Sequence, residues 1–451
     1  MDRENKIVHS NLFLIIFIVF VVAINYSPSL ATNYPTSTII KNVNVNGDTV
    51  RNIVLDWGVL VSGKVTDNQG NSVKDVVVTA IGKDFLMQNT TATDNTGNYK
   101  LSLPKGTYTF TFNPPFNQSR AAYKSIEKET VNNDKKLNVT LPNGVFLSGN
   151  LMDYLNQPVT DSIVYAKRLS DDLLFACFPN PVTGKFMEAL LAGEYDITAI
   201  RTSCVNNPYI PFRKHTNISV GKKNIQNDTQ LDGIKMPQGV VLQGTVKDNN
   251  NQTIVAIITI LNLKDLKAKN PWVGAQTASN SIIDPSYKVA LEKKNSYALQ
   301  VVPVHGEGSP NSGLNPRATF EIIKKVKMKK KDSTVNITVE DGKILSGTIK
   351  DKDGKIVKNA VIIITNIKKA NDLFKYNKIM IVTVSDKNGK YSYPLVKGKY
   401  IVVAYPPFLD QNAIETDQYR SGLNPEGNGV QDYLIRFLKM IRANSMGFTR
   451  K

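Results

Sequence analysis

Cysteine, tryptophan and histidine are all scarce in this chain: two, two and three among 451 residues. Cys177 and Cys204 alone cannot staple a scaffold of this length, so buried apolar side chains must organise it. The two cysteines either pair in an oxidising compartment or serve as small buried hydrophobes. His9 falls in the export segment read below, and His215 and His305 sit far apart without a HxxE or HExxH pattern. A zinc site, with its three or four clustered ligands, is therefore not expected. There is no Gly-x-Ser-x-Gly elbow and no phosphate-cradling glycine loop. The sequence thus predicts a chain that is not an enzyme and carries no metal and no cofactor. Long apolar runs are missing too. The longest, 12–24, is short of the roughly 20 residues of a bilayer span. Lys6 before it and Ser29-Leu30-Ala31 after it read as an export signal, residues 1–31, cleaved before Thr32. Export to a cell surface, the periplasm or the medium is the expectation.

Acid is outnumbered as well, 38 Asp and Glu against 56 Lys and Arg, a formal charge of +18. Such an excess favours anionic polymers or surfaces over specific nucleic acid, and also suits a plain lysine-rich soluble surface.

What the chain does have is one phrase written four times. An apolar run leads to a glycine with Asp four residues later: Gly63 and Asp67, Gly149 and Asp153, Gly244 and Asp248, Gly347 and Asp351. The period is that of a small domain rather than a solenoid repeat. A second anchor follows in each unit. It reads Asp94-Asn95-Thr96-Gly97-Asn98-Tyr99 with Tyr108, and Asp386-Lys387-Asn388-Gly389-Lys390-Tyr391 with Tyr400. Unit two keeps Gly184, Phe186, Gly193 and Tyr195, whereas unit three has Asn295 where the others have glycine. Asp-Asn-x-Gly is turn chemistry, and Tyr99, Leu101 and Leu103 alternate like a half-buried strand. A glycine inside a strand, such as Gly63, implies a bulge or a close backbone approach. The Asp-rich turns lack the bidentate Glu of a calcium loop, so they read as β-turns.

A third piece, a short hairpin, recurs between units and also precedes unit one, but none follows unit four. Either each unit takes the hairpin before it, or the fourth unit has lost its last strands. The expected boundaries are a hairpin or linker at 32–58 and sandwiches at 59–143, 144–238, 239–341 and 342–428. The third is divergent and the fourth is open to being incomplete. A basic amphipathic tail, 429–451, has Tyr433, Leu434, Phe437, Leu438 and Ile441 at helical spacing.

The two anchors together resemble the carboxypeptidase regulatory-like domain, a transthyretin-like β-sandwich similar to Cna B-type and starch-binding-like folds. The resemblance implies an all-β tandem array of four seven-stranded sandwiches, between a signal helix and a short C-terminal helix. It also implies a non-enzymatic role as a cell-surface spacer or adhesion module, with weak carbohydrate affinity. The alternative is an accessory region of a larger exported enzyme or transporter. Expected partners are a carbohydrate, an anionic surface polymer or a cell-surface protein, met by a monomer. Candidate stacking platforms are Phe116, Phe212 and Phe408 on proline-rich loops, with Trp57 and Trp272. Lys325, Lys327, Lys329 and Lys331 share one strand face, as an anionic-polymer contact or as edge protection.

Overall fold

The computed structural model describes residues 35–406 apart from 83–87, 116–119, 160–161, 172, 178, 181, 202, 206–211, 265–275, 280–285, 306–314 and 369–374. The signal segment, the tail and both expected terminal helices lie outside these residues. Within them the period-two alternation becomes strand. Val59–Thr66 buries Val59, Val61, Gly63 and Val65 on one side, and Gly106–Asn113 buries Tyr108, Phe110 and Phe112, as a pleat with one face on a core requires.

The aspartates close turns. Asp67 Oδ1 accepts the N–H groups of Gln69 and Asn71 at 2.9 and 2.8 Å. Asp153, Asp248 and Asp351 accept the amides two and four residues on in the same way. So do Asp94 and Asp386 at the second anchor, where Gly97 and Gly389 take φ of 78° and 70°. These carboxylates are spent on backbone amides, which is Asx-turn chemistry.

Every unit is two sheets packed face to face. In the first, Val59–Thr66 pairs antiparallel with Asn98–Leu103 and parallel with Lys135–Lys136 and Val139–Thr140. Its second sheet runs Gln88–Ala92, Val77–Gly82, Gly106–Asn113, Lys124–Val131. Counting the two short parallel pieces as one strand, that is seven strands. Val145–Met152 and Val240–Asp248 organise units two and three alike. Unit three gains one further strand, Ser203–Val205, which leaves unit two to pair with Gln276–Ser279. Four separate apolar cores result.

The hairpin offset has an unexpected solution. Each of the first three sandwiches takes the hairpin that follows it. The fourth takes the one at the start of the chain. Thr38–Val45 pairs with Gly398–Tyr405, and Thr49–Val50 and Ile53–Leu55 lie parallel to Lys343–Asp351. Val43, Val45, Ile53 and Leu55 belong to the same core as Leu345, Ile362 and Tyr393. Residues 38–55 are thus neither a free hairpin nor a linker, and the fourth sandwich lacks no strand. The sequence could not show this because the two parts stand about 300 positions apart.

The strand glycines explain how each hairpin locks. A Cβ on Gly63 would run into the carbonyl of Leu137, on Gly149 into that of Leu231, on Gly244 into that of Val335, and on Gly347 into that of Arg51. The reason for the glycine is close backbone approach. The approaching carbonyl is also hydrogen-bonded: Tyr99, Tyr287 and Tyr391 each donate a hydroxyl to it at 2.7 Å. Unit two has Phe186 in that position and no hydroxyl to donate.

Gly347→Ala is therefore expected to push the chain-start hairpin off unit four and cost about 1–3 kcal/mol or more, the usual penalty of overpacking. Thermal unfolding and protease cleavage within 35–56 would report it. Gly47→Ala, with open space around its Cβ, should leave both unchanged.

Candidate functional site: the junctions between sandwiches

The most elaborate chemistry among the described residues lies where one sandwich meets the next. At each junction the segment entering the closing hairpin doubles back on the segment leaving it. Ala122 N–H donates to Pro142 O, Thr216 to Pro237, Thr319 to Glu340, and Thr36 to Asp56, all at 2.8–2.9 Å. A glycine follows each time, Gly144, Gly239, Gly342 and Gly58, and a Cβ there would meet main chain of the next unit. With the fourth unit closed by the chain start, its junction to unit one completes a ring of four contacts.

Among the described residues, ion pairs from one unit to the next brace three of the four, and at the fourth Lys352 of unit four reaches Asp56 at 2.9 Å. Arg120 makes two hydrogen bonds to Asp228, 2.8 and 2.6 Å, and its guanidinium lies 4.6 Å from the Phe146 ring. Lys214 reaches Asp332 at 2.8 Å. Arg317 holds Asp48 through two bonds, 3.1 and 2.7 Å. The same aspartates accept the N–H of Phe146, Val241 and Ile344. Arg317, then the Ile344 amide, brings the Asp48 carboxyl down to about 2. Arg120, then the Phe146 amide, does the same to Asp228. At the fourth junction Asp134 accepts the Leu60 N–H at 2.8 Å, but the sequence carries Tyr34 where the others carry Arg120, Lys214 and Arg317. These aspartates recur 15 or 16 residues before each strand glycine. That spacing is legible in the sequence, although nothing local marks these aspartates as junction residues.

Aromatic pegs mark the same three junctions. Tyr123, from the end of unit one, is part of the second core and meets Phe175 edge-on at 5.6 Å. Phe212, from unit two, packs on the third core. Phe320, from unit three, is part of the fourth. Each seats apolar surface across a boundary that would otherwise be wet. The place of Tyr123 and Phe320 is held at the fourth junction by Ser37, which is buried but small.

Phe212 is therefore not an outward stacking platform. The Arg201 guanidinium lies 4.9 Å from its ring centre, and the half-buried side chain packs on the third core. Trp57 sits half-buried at the junction of units four and one, bridged to Pro35. Phe116, Phe408 and Trp272 lie outside the described residues. Lys325 and Lys327 are exposed on Glu321–Lys327, the edge strand of a five-stranded sheet, with a register shift beside Lys325. Lys329 and Lys331 are exposed just beyond it, while Val326 and Met328 face inward. A second basic feature was not foreseen: a cleft on unit four lined by Lys41, Asn42, Lys368, Lys399 and Tyr400. One of its walls is the chain-start strand.

Cys177 is a free thiol buried in the second core, so no disulfide joins it to Cys204, whose strand pairs with the third unit. Burial, and then the neighbouring Glu188, push the thiol up. Burial also raises the Glu188 carboxyl well above its ordinary range, and its Oε2 has no hydrogen-bond partner. Glu188 stands where the other units place Leu101, Val289 and Tyr393. Glu188→Leu is expected to raise stability by about 1–3 kcal/mol, the penalty of a buried unsatisfied group, readable as a higher unfolding temperature at pH 7.

The junction of units three and four holds a titratable group. His305 Nε2 bonds Ala318 O at 2.6 Å, and the ring meets Tyr393 edge-on at 5.0 Å. Tyr393 in turn donates to Pro303 O at 2.7 Å. Burial outweighs the Ala318 bond and lowers His305 to about 4. The unfolded chain takes up this proton first, so the contribution is whole above pH ~6.5 and is lost as pH falls toward 4. About 3 kcal/mol should go over that window, and His305→Gln, which keeps a donor without a titration, should flatten that part of the pH–stability profile.

Residues 60–142, the span of the first sandwich, match the family described as carboxypeptidase regulatory-like domain. No curated protein sequence matches the chain. Among solved structures it is similar to the Bacillus anthracis TIE protein, at 13% identity and TM-score 0.18, covering 63% of this chain and 50% of that one. The chain thus spans half the length of that protein. It is also similar to BcpA, the major pilin subunit of Bacillus cereus, at 11% identity and TM-score 0.16, with 63% and 99% covered. A streptococcal ancillary pilin stands at 8% identity and TM-score 0.17, with 62% and 99% covered.

Proposed function

We propose that the chain is an exported, non-enzymatic adhesion module, a compact head of four sandwiches that binds anionic surface polymers. One observation carries the choice between adhesion head and spacer. Thr38 pairs with Ala404, so both ends of the described chain leave the same sandwich. A spacer must hold its ends apart, and a ring brings them together. The net charge of +18, the exposed lysines along 324–331 and the Lys41–Lys368–Lys399 cleft supply the cationic surface. Weak affinity for carbohydrate belongs to the same reading.

Retention on immobilised heparin at low salt tests it. Binding should weaken steeply as salt rises, as expected when counterions are released. Lys325→Glu with Lys327→Glu should elute at lower salt than the parent. A neutral glucan column serves as the comparison. Passage of the parent through heparin without retention would remove the anionic-polymer reading. The match of 60–142 to a regulatory-like domain favours a second reading, an accessory region of a larger exported enzyme. Co-purification with a hydrolase from the native source would support that one.

A further inference from the structure

We propose that residues 35–56 are an exchangeable donor segment, and that the fourth sandwich of one copy accepts the donor of a second copy of this chain. The acceptor is incomplete without it. Among the described residues Lys343–Asp351 finds its parallel partner only in Thr49–Val50 and Ile53–Leu55, and Gly398–Tyr405 finds one of its two neighbours only in Thr38–Val45. Ile53 and Leu55 are fully buried in the fourth core. Tyr391 donates to the Arg51 carbonyl across 340 positions of sequence.

Nothing in these contacts requires the donor to come from the same molecule. Three residues, 56–58, join the donor to Val59–Thr66 of unit one. The links from hairpin to next sandwich within the chain are of similar length, with the same doubled-back hydrogen bond at Thr36 and Asp56. A donor from another copy would make the same ladders and the same Arg317–Asp48 pair. Exchange therefore replaces a ring of four contacts by a run of copies joined head to tail, with each bond between donor and acceptor remade.

The ring also has a soft seam. Three junctions are held by an aromatic peg and a cation–aspartate pair. The fourth has Ser37 in place of Tyr123 and Phe320, and among the described residues is held by main-chain bonds, the half-buried Trp57, the exposed Lys352–Asp56 pair at 2.9 Å and Thr36 Oγ1 to Ser102 O at 3.5 Å. A joined copy can change angle there while the donor ladders and the Arg317–Asp48 pair stay in place, which a head-to-tail run requires.

Concentration decides between the two forms. A tethered donor sees its own acceptor at an effective concentration on the order of millimolar. The closed monomer should dominate in dilute solution and the exchanged form at crowding near that level. Because Ile53 and Leu55 must leave a core to exchange, the forms should interconvert slowly once folded.

The test uses the purified chain carrying Val54→Cys and Lys350→Cys in a Cys204→Ser background. Val54 and Lys350 are register partners and both are exposed, and Cys177 is buried. Unfolded protein is refolded at about 5 µM and at about 1 mM, well below and near the effective concentration, then oxidised. Refolding at the low concentration should give covalent monomer. Refolding at the high concentration should give a disulfide-linked ladder on a non-reducing gel, matched by oligomers of the unmodified chain in light scattering that persist on dilution. Monomer at both concentrations, or oligomers without the cross-copy disulfide, would overturn the proposal.

Discussion

One contact recurs in every sandwich and the rest is arranged around it: a backbone carbonyl of the closing hairpin laid against a glycine of the first strand. The approach is too close for a Cβ at Gly63, Gly149, Gly244 or Gly347. In three units a tyrosine hydroxyl meets the same oxygen. The glycine admits the hairpin, the tyrosine fixes its register, and the hairpin supplies the parallel strand that closes the first sheet. Its position in turn sets the aspartate that bonds the next strand's amide. The direction in which one unit passes the chain to the next follows from that single close approach.

Braces are then added unevenly. Three junctions combine a peg of Tyr123, Phe212 or Phe320 with a cation on Asp228, Asp332 or Asp48. Exposed ion pairs of this kind contribute little on their own, so the seated aromatic stabilises the junction more and the pair fixes orientation. The junction of units three and four is the most tightly tied. Tyr393 and His305 cross it, and Gln300 donates to the carbonyls of Tyr376 and Lys378. The junction of units four and one rests, among the described residues, on main-chain bonds, the exposed Lys352–Asp56 pair and the half-buried Trp57.

Much of the architecture was legible because it is local. Alternation in Tyr99–Leu101–Leu103 and turn chemistry at Asp94 and Asp386 depend on residues within a few positions of one another. The glycine of the first strand was legible as a close approach, although the approaching carbonyl was not. What the sequence could not reveal is long-range. The ownership of residues 38–55 is decided by which acceptor lies open, and the first strand of the fourth unit is 343–351. Junction residues such as Arg120 and Arg317 sit in irregular segments without periodicity. Phe212 has the composition of a stacking platform, but its surroundings, unlike its identity, come from the neighbouring sandwich.

Closing the last sandwich with the first strands has a cost in time. The segment 38–55 leaves the ribosome first, and its partner strands follow about 300 residues later. Contacts of such separation form slowly, because loop closure precedes any reward. Until then its apolar residues, Val43, Val45, Ile53 and Leu55, have no core to enter, a condition that invites aggregation. Asn42, Asn44 and Asn46 and the lysine at 41 break the apolar character of this early strand, and the left-handed turn at Asn42 bends it away from regular edge pairing. The closing strand of unit one carries the same left-handed bulge at Lys128, so this chemistry belongs to the seat, and here it also serves a segment that has to wait before it can fold.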